Sequence, residues 1–274
     1  MRGFTRQTVG GLPLITVDAM LKNGCFAAYT TRFGGISPPP YDSLNLSYSE
    51  SRADPLENVQ KNWNVVTTAL GCSKEQLVRT RQTHSRNVLY VDRPIDFSAE
   101  AYSDGVDGVV TDRPDLLLTV VTADCQGLLF FDPVKGICAA VHSGWRGTLA
   151  DIGGIAVEKM QQLGSRPSDI LVSSGPSIAP CCFEVGEDVV SLFNQRFGKE
   201  ADRFFTPAQT NGKYMGDMPS FTKMCLVRRG VLPENVHLLP VCTRCNTDFF
   251  SHRRQKGQRG TMASLIIGKE WKAK

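Results

Sequence analysis

The sequence predicts an α+β fold, with mixed sheets and helices packed outside them, and three observations predict it. Short runs rich in Val, Leu, Ile and Ala, bounded by Gly, Pro and Asp, recur at 116–122, 127–132, 136–142, 170–174 and 262–267, and such runs read as buried strands. Apolar residues at helical spacing lie elsewhere, as in Leu56, Val59, Trp63, Val66 and Leu70. The two kinds of segment alternate imperfectly, which argues against a clean doubly wound sheet.

The elements follow in order. Residues 25–31 read as a strand leading into Arg32-Phe33-Gly34-Gly35 and a proline-rich turn, where Arg32 is either an anion clamp or a plain turn residue. A helix is expected over 54–70, a strand over 87–92 and tight turns over 104–112. Thr148-x-x-Asp151 resembles a capping box ahead of Leu149, Ile152, Ala156, Met160 and Leu163, so a helix is expected from Thr148. Further helices are expected over 187–197 and 217–230, and a strand over 236–241. With no linker and no internal repeat, a single domain over 1–274 is expected.

Charge and cysteine usage exclude several classes. Lys and Arg number 31 against 27 Asp and Glu, so the net charge of +4 implies no general polyanion partner and no nucleic acid. The basic group Arg253, Arg254, Lys256 and Arg259 has few interleaved aromatics and reads as a solvated face. Pro13 and Asp18 interrupt the N-terminal apolar patch too early for a secretory signal, and no segment approaches a membrane span. Nine cysteines without an export signal point to a reducing, cytoplasmic setting where they stay thiols or bind metal.

The candidate chemistry lies at strand ends. Cys125 falls just past the 116–122 run, His142 ends the 136–142 run, and His84 precedes the 87–92 run. Imidazole nitrogen and thiolate sulfur are zinc donors, and three protein ligands are the number a catalytic zinc takes. Their spacing is unlike a zinc finger, so the fold itself has to bring them together. Two histidines and one cysteine also make a blue-copper ligand set. The chain holds four histidines, however, too few for the extra coppers of a multicopper oxidase. Arg146, in a glycine-bounded turn ahead of the expected helix, offers a donor fork suited to phosphate. Cys242-x-x-Cys245 and Cys181-Cys182 are the other close cysteines; together they offer donors for a structural zinc site, but with no second CxxC loop or buried thiols are the expectation.

Ordered motifs cover nearly the whole chain: Thr30-Thr31-Arg32-x-Gly34-Gly35, Ser43-Leu44-Asn45, Gln82-x-His84, Asp107-Gly108-x-x-Thr111, Thr122-Ala123-Asp124-Cys125 and His142-x-Gly144-Trp145-Arg146-Gly147. Gly175-Pro176-x-Ile178, Glu184-Val185-Gly186, Cys242-Thr243 and Phe249 to Arg254 follow. Together they resemble the YfiH-like family, also called the laccase-domain or multicopper polyphenol oxidase family. The resemblance implies a layered α/β/β/α fold and a zinc site of His84, Cys125 and His142, with copper as the alternative metal. It implies an enzyme that takes purine nucleosides and phosphate, performing phosphorolysis of adenosine, inosine, guanosine and methylthioadenosine and deamination of adenosine. Cys125, Asp124 and Arg146 are then the candidate catalytic residues, with Asp124 preferred as a partner of the ligands, and Arg32, Asn45 and Gln82 the candidate substrate-binding ones. A monomer or small homo-oligomer is expected. Rival classes are a copper polyphenol oxidase, a cysteine or metal hydrolase editing peptidoglycan precursors, and a non-catalytic binding protein. Ser85, Ser143, Gln126-Gly127 and Thr261 depart from the family pattern.

Overall fold

A computed structural model describes residues 2–47, 54–96 and 103–268; the rest of the expected 1–274 domain lies outside the described residues. The first strands are β1 (Phe4–Val9), β2 (Leu12–Val17), β3 (Phe26–Thr30), β4 (Leu77–Val78), β5 (Val88–Tyr90) and β6 (Gly108–Thr111). The central ones are β7 (Leu117–Thr122), β8 (Gln126–Asp132), β9 (Ile137–Ser143) and β10 (Leu171–Ser174). Five more follow: β11 (Glu184–Gly186), β12 (Phe205–Pro207), β13 (Lys213–Gly216), β14 (Val236–Leu238) and β15 (Met262–Ile267). The helices are α1 (Asp18–Lys22), α2 (Leu56–Ala69), α3 (Trp145–Leu149), α4 (Ile152–Gln162), α5 (Glu187–Phe197), α6 (Met218–Arg228) and α7 (His252–Gln255).

Two six-stranded mixed sheets result, ordered β1-β2-β3-β15-β7-β4 and β14-β10-β8-β9-β6-β5, with a smaller sheet β11-β13-β12 beside them. The central strands are apolar without a break because they are buried on both faces. Along β8 the side chains alternate: Leu129 and Phe131 enter the core between the two sheets with Leu118, Val120 and Ile266, while Leu128 and Phe130 face α4 through Ile152, Ala156 and Met160. On the far side, α2 lays Val59, Trp63 and Val66 against Leu14, Phe26 and Leu117 of the first sheet. Helix, sheet, sheet, helix is the layering the family resemblance implied. Removing a side chain such as Phe130, fully buried at this junction, is expected to cost about 3–5 kcal/mol.

A satellite core of Phe193, Phe204, Phe205 and Phe221 joins the three-stranded sheet to α5 and α6, with Phe193 and Phe221 edge to face at 4.8 Å. Among the described residues no helix is long and apolar enough to cross a membrane.

Two local expectations are revised, and one element not expected from the sequence is added. Residues 4–17 form a hairpin turned at Gly10 and Gly11, both at positive φ (53° and 85°), a geometry glycine supplies without a Cβ penalty. Residues 108–111, within the segment expected as turns, are a strand between β5 and β9. The helix expected from Thr148 is two helices: α3 ends at Leu149, and α4 is capped by Asp151, whose carboxylate accepts from the Gly154 N–H. Thr148 is instead tied by its hydroxyl to Ser143 and Gln126 inside the fold.

Candidate metal centre

Strand register builds the site. In the β8–β9 pair Gln126 lies opposite Ser143 and Gly127 opposite His142, so Cys125, one residue before β8, reaches the end of β9. In the β6–β9 pair Gly108 lies opposite Val141, which puts Asp107 beside His142, and the His142 N–H donates to the Asp107 carbonyl at 2.7 Å. Parallel β5 sets Val88 beside Gly108 and so carries the 83–87 loop to the same end of the sheet.

The three expected ligands converge there. The donor atoms of His84, Cys125 and His142 all lie within 4.8 Å of one another, with the Cys125 sulfur 3.8 Å from His84 Nε2. The two imidazole rings meet edge-on, centroids 4.9 Å apart. His84 is exposed, Cys125 half-buried and His142 buried, so the set opens to solvent on the His84 side. One soft sulfur and two imidazoles within a single coordination sphere's reach fit a zinc-class ion.

Asp107 organises this set, and its part was not foreseen. Its carboxylate accepts from the backbone N–H groups of Thr83, His84 and Ser85, from the Ser85 hydroxyl at 2.7 Å, and from His142 Nδ1 at 2.7 Å. The last bond holds a proton on Nδ1, so Nε2 is the nitrogen left for the ligand set and gives up its own proton when a metal binds. Ser85, a departure from the family pattern, is thereby a working donor to Asp107. The signal was present as Asp107-Gly108, but an aspartate in DGVDG reads as a turn until the β6–β9 register is known.

Electrostatics agree with the geometry. Burial pushes the Cys125 thiol up, but the facing His142 and His84 outweigh it and lower it to about 6. His142 moves to about 9, burial pulling down while Cys125 and Asp107 pull further up. Burial also raises Asp107, yet the His142 bond leaves it below the usual carboxylate range.

Two ligand-bearing turns hold non-glycine residues at left-handed φ, His84 at 61° and Asp124 at 89°, each costing on the order of 1–3 kcal/mol unless its surroundings hold it. Asp107 holds the first turn. At the second, Asp124 Oδ1 accepts from the Thr243 hydroxyl and Oδ2 from the Arg253 N–H, each at 2.6 Å, while the Ile178 N–H donates to its carbonyl. Gly144 is obligatory for space: a Cβ there would lie 2.7 Å from His84 Cδ2 and 3.1 Å from the Cys125 sulfur.

The remaining expected residues divide. Arg146 is exposed in α3, its guanidinium 4.2 Å over the Trp145 ring, and no carboxylate pairs with it among the described residues. Arg32 is tied to Asp42, by an ion pair and by the Asp42 carbonyl. Asn45 is fully buried and joins Asp54 to the backbone of Ser47 and Thr261. Gln82 brackets Val121, donating to its carbonyl and accepting from its N–H. Gln126 turns inward to Thr222 and Ser174, and Gly127 leaves room for the Ser264 hydroxyl, which a Cβ would meet at 1.9 Å.

The basic group expected as a solvated face is partly a lock. Arg254 donates to the carbonyls of Thr243, Arg244, Asn246 and Phe249, and Arg253 to that of Glu184. Arg259, half-buried, lies within electrostatic range of Asp124 and Cys125; it donates to the Gly260 carbonyl, and its Nε has no partner among the described residues.

Comparison with known proteins bears on the family. A sequence model of the family described as multi-copper polyphenol oxidoreductase laccase matches residues 26–269. A Deinococcus radiodurans protein named purine nucleoside phosphorylase is 35% identical over 262 residues, 95% of this chain and 94% of its own. The mouse purine nucleoside phosphorylase LACC1 is 33% identical over 268 residues, and this chain spans 59% of its length. The crystal structure of the Bacillus licheniformis hypothetical protein YfiH superposes with a TM-score of 0.86 at 29% identity, covering 97% of this chain and 99% of that one. The chain belongs to the multi-copper polyphenol oxidoreductase laccase family.

Proposed function

We propose that this chain is a zinc-dependent purine nucleoside enzyme that phosphorolyses adenosine, inosine, guanosine and methylthioadenosine and also deaminates adenosine, acting as one catalytic domain. The observation that carries this reading is the convergence of His84, Cys125 and His142 around one point, in a chain similar to proteins named purine nucleoside phosphorylases. A zinc ion on those ligands supplies Lewis-acid polarisation and a lowered pKa for bound water.

The chain's own residues do the rest. His142 keeps its proton on Nδ1 because the Asp107 carboxylate accepts a hydrogen bond from it, so the ring is presented in one orientation. Phosphorolysis needs a phosphate against the anomeric carbon and support for charge on the departing purine. Arg146 supports the first role, having no carboxylate partner among the described residues, whereas Arg32 is already paired with Asp42. Arg259, within electrostatic range of Asp124 and Cys125, holds a further unsatisfied donor in its Nε. With both carboxylate oxygens engaged, Asp124 acts as a positioning residue for the Cys125 turn. Asn45, fully enclosed, and Gln82, bonded on both sides of Val121, hold the scaffold, in place of the substrate contacts expected of them.

The test is incubation with adenosine, with and without phosphate, and separation of adenine, inosine and hypoxanthine. Adenine formed only with phosphate marks phosphorolysis, and inosine formed without it marks deamination. Stoichiometric copper with oxygen uptake on phenols, and no purine product, would replace this reading with the oxidase one.

A further inference from the structure

We propose that Cys181, Cys182, Cys242 and Cys245 form a second metal site, a closed tetrathiolate centre for zinc that pins together the two loops behind Cys125. The four sulfurs come from two loops far apart in the chain and all lie within 4.8 Å of one another. A tetrahedral zinc with sulfur at about 2.3 Å needs sulfurs about 3.8 Å apart along each edge. The observed separations are 3.7 Å for Cys181–Cys182, 3.8 Å for Cys181–Cys245 and 3.3 Å for Cys182–Cys245. Three edges are at or somewhat below this length and Cys242 lies within 4.8 Å of the other three, and four thiols gathered so closely suit zinc better than the harder cations that carboxylates hold.

The surroundings suit thiolates. Arg244 brings its guanidinium to 3.4 Å from the Cys182 sulfur, a cation placed against a group that is neutral until it loses its proton. The backbone N–H groups of Ala179, Arg244 and Cys245 point at the Cys242 sulfur, as expected where a turn stabilises a metal-bound thiolate. Cys25 and Cys138 provide the contrast: also close, at 4.0 Å, they are enclosed in the core between the sheets and serve as small apolar side chains. Cys181 and Cys245 are exposed, so packing does not explain why they meet.

The consequence reaches the first centre. Thr243, inside the Cys242–Cys245 turn, donates to Asp124, and Ile178, three residues before Cys181, holds the Asp124 carbonyl. A metal joining the two turns therefore braces the residue that precedes Cys125. Binding one zinc ion releases to solvent the protons of whichever thiols still carry them, up to four, with no change of oxidation state.

Zinc content and cysteine protection test this on the intact chain. The His84→Ala/Cys125→Ala variant should retain one equivalent of zinc, and Cys182→Ser/Cys245→Ser should lose one equivalent relative to the parent. In the parent protein, iodoacetamide with per-residue mass analysis should leave all four cysteines unmodified until a chelator removes the metal, then label them. This second measurement decides the matter even where the serine variant does not fold. Equal labelling with and without chelator, iron in place of zinc, or a reducible disulfide among the four would each overturn the proposal.

Discussion

The two clusters of candidate metal ligands sit on either side of Asp124 and are built on opposite plans. The first mixes two imidazoles with one thiol, opens to solvent at His84, and is oriented by a buried carboxylate that touches the ring of one ligand and the backbone of another. The second has four thiols, steadied by backbone N–H groups and an arginine. Three ligands leave a coordination position for a reactant, and four close the sphere. The difference teaches that donor number and the groups behind the donors, more than the presence of a metal, separate a reactive centre from a brace.

The largest expected effect breaks the first plan outright. Cys125→Ala removes the one sulfur donor, so zinc at this site and phosphorolysis should both be lost, the rate falling by at least about a thousandfold because a metal's charge stabilisation is worth several kcal/mol. The thiols of the second cluster should keep their protection from alkylation. Full zinc occupancy at the first centre in this variant would contradict the ligand assignment.

Asp107→Asn comes next. An amide leaves the donors intact but offers one acceptor oxygen where the carboxylate serves three N–H groups, a hydroxyl and His142 Nδ1. Loss of such an orienting partner is expected to weaken metal affinity or activity by about 10- to 100-fold. Competition with a chromogenic chelator measures it, and unchanged affinity would reduce Asp107 to a turn residue. Gly144→Ala tests the same geometry from the other side. Its Cβ would crowd both His84 and Cys125, displacing them enough to cost on the order of tenfold in activity while the circular dichroism of the fold is retained.

Legibility in the sequence followed the same division. Strands buried on both faces were legible as unbroken apolar runs, and Met262 to Ile267 matches β15 from end to end. The β1–β2 hairpin carries a local signal in Gly10-Gly11, but β1 is mostly polar and exposed and Pro13 stands inside β2, so neither strand forms an unbroken apolar run. The sheet of β11, β12 and β13 has strands of three or four residues, whose pairing rests on the phenylalanine cluster behind them and leaves no local period. Strand ends and family motifs pointed to His84, Cys125 and His142. Asp107 stayed hidden because its role depends on which residue of β9 lies opposite, and the four cysteines read as loop or buried thiols, and not as one zinc site, because the Thr243 to Ser177 pairing that joins their two loops is tertiary.

The smallest expected effect concerns Arg146, which lies outside both clusters and tests whether the open centre receives an anion. Its guanidinium rests on Trp145 with no carboxylate to satisfy it among the described residues, so it is held in place while its donors stay available. The helix around it has five residues, too short to lend a substantial dipole, and the arginine itself has to supply the attraction. Charge-assisted hydrogen bonds are worth about 1.5–3 kcal/mol each, so Arg146→Ala should slow phosphorolysis by about tenfold or more. Arg146→Lys should recover only part of this, since an ammonium lacks the paired donors. Deamination consumes water and no phosphate, and should fall less. Side-by-side rates of adenine and inosine formation decide it: an equal loss of both, or no loss of either, would make Arg146 a structural turn residue and leave Arg259, with its unsatisfied Nε and within electrostatic range of Asp124, as the next donor to examine.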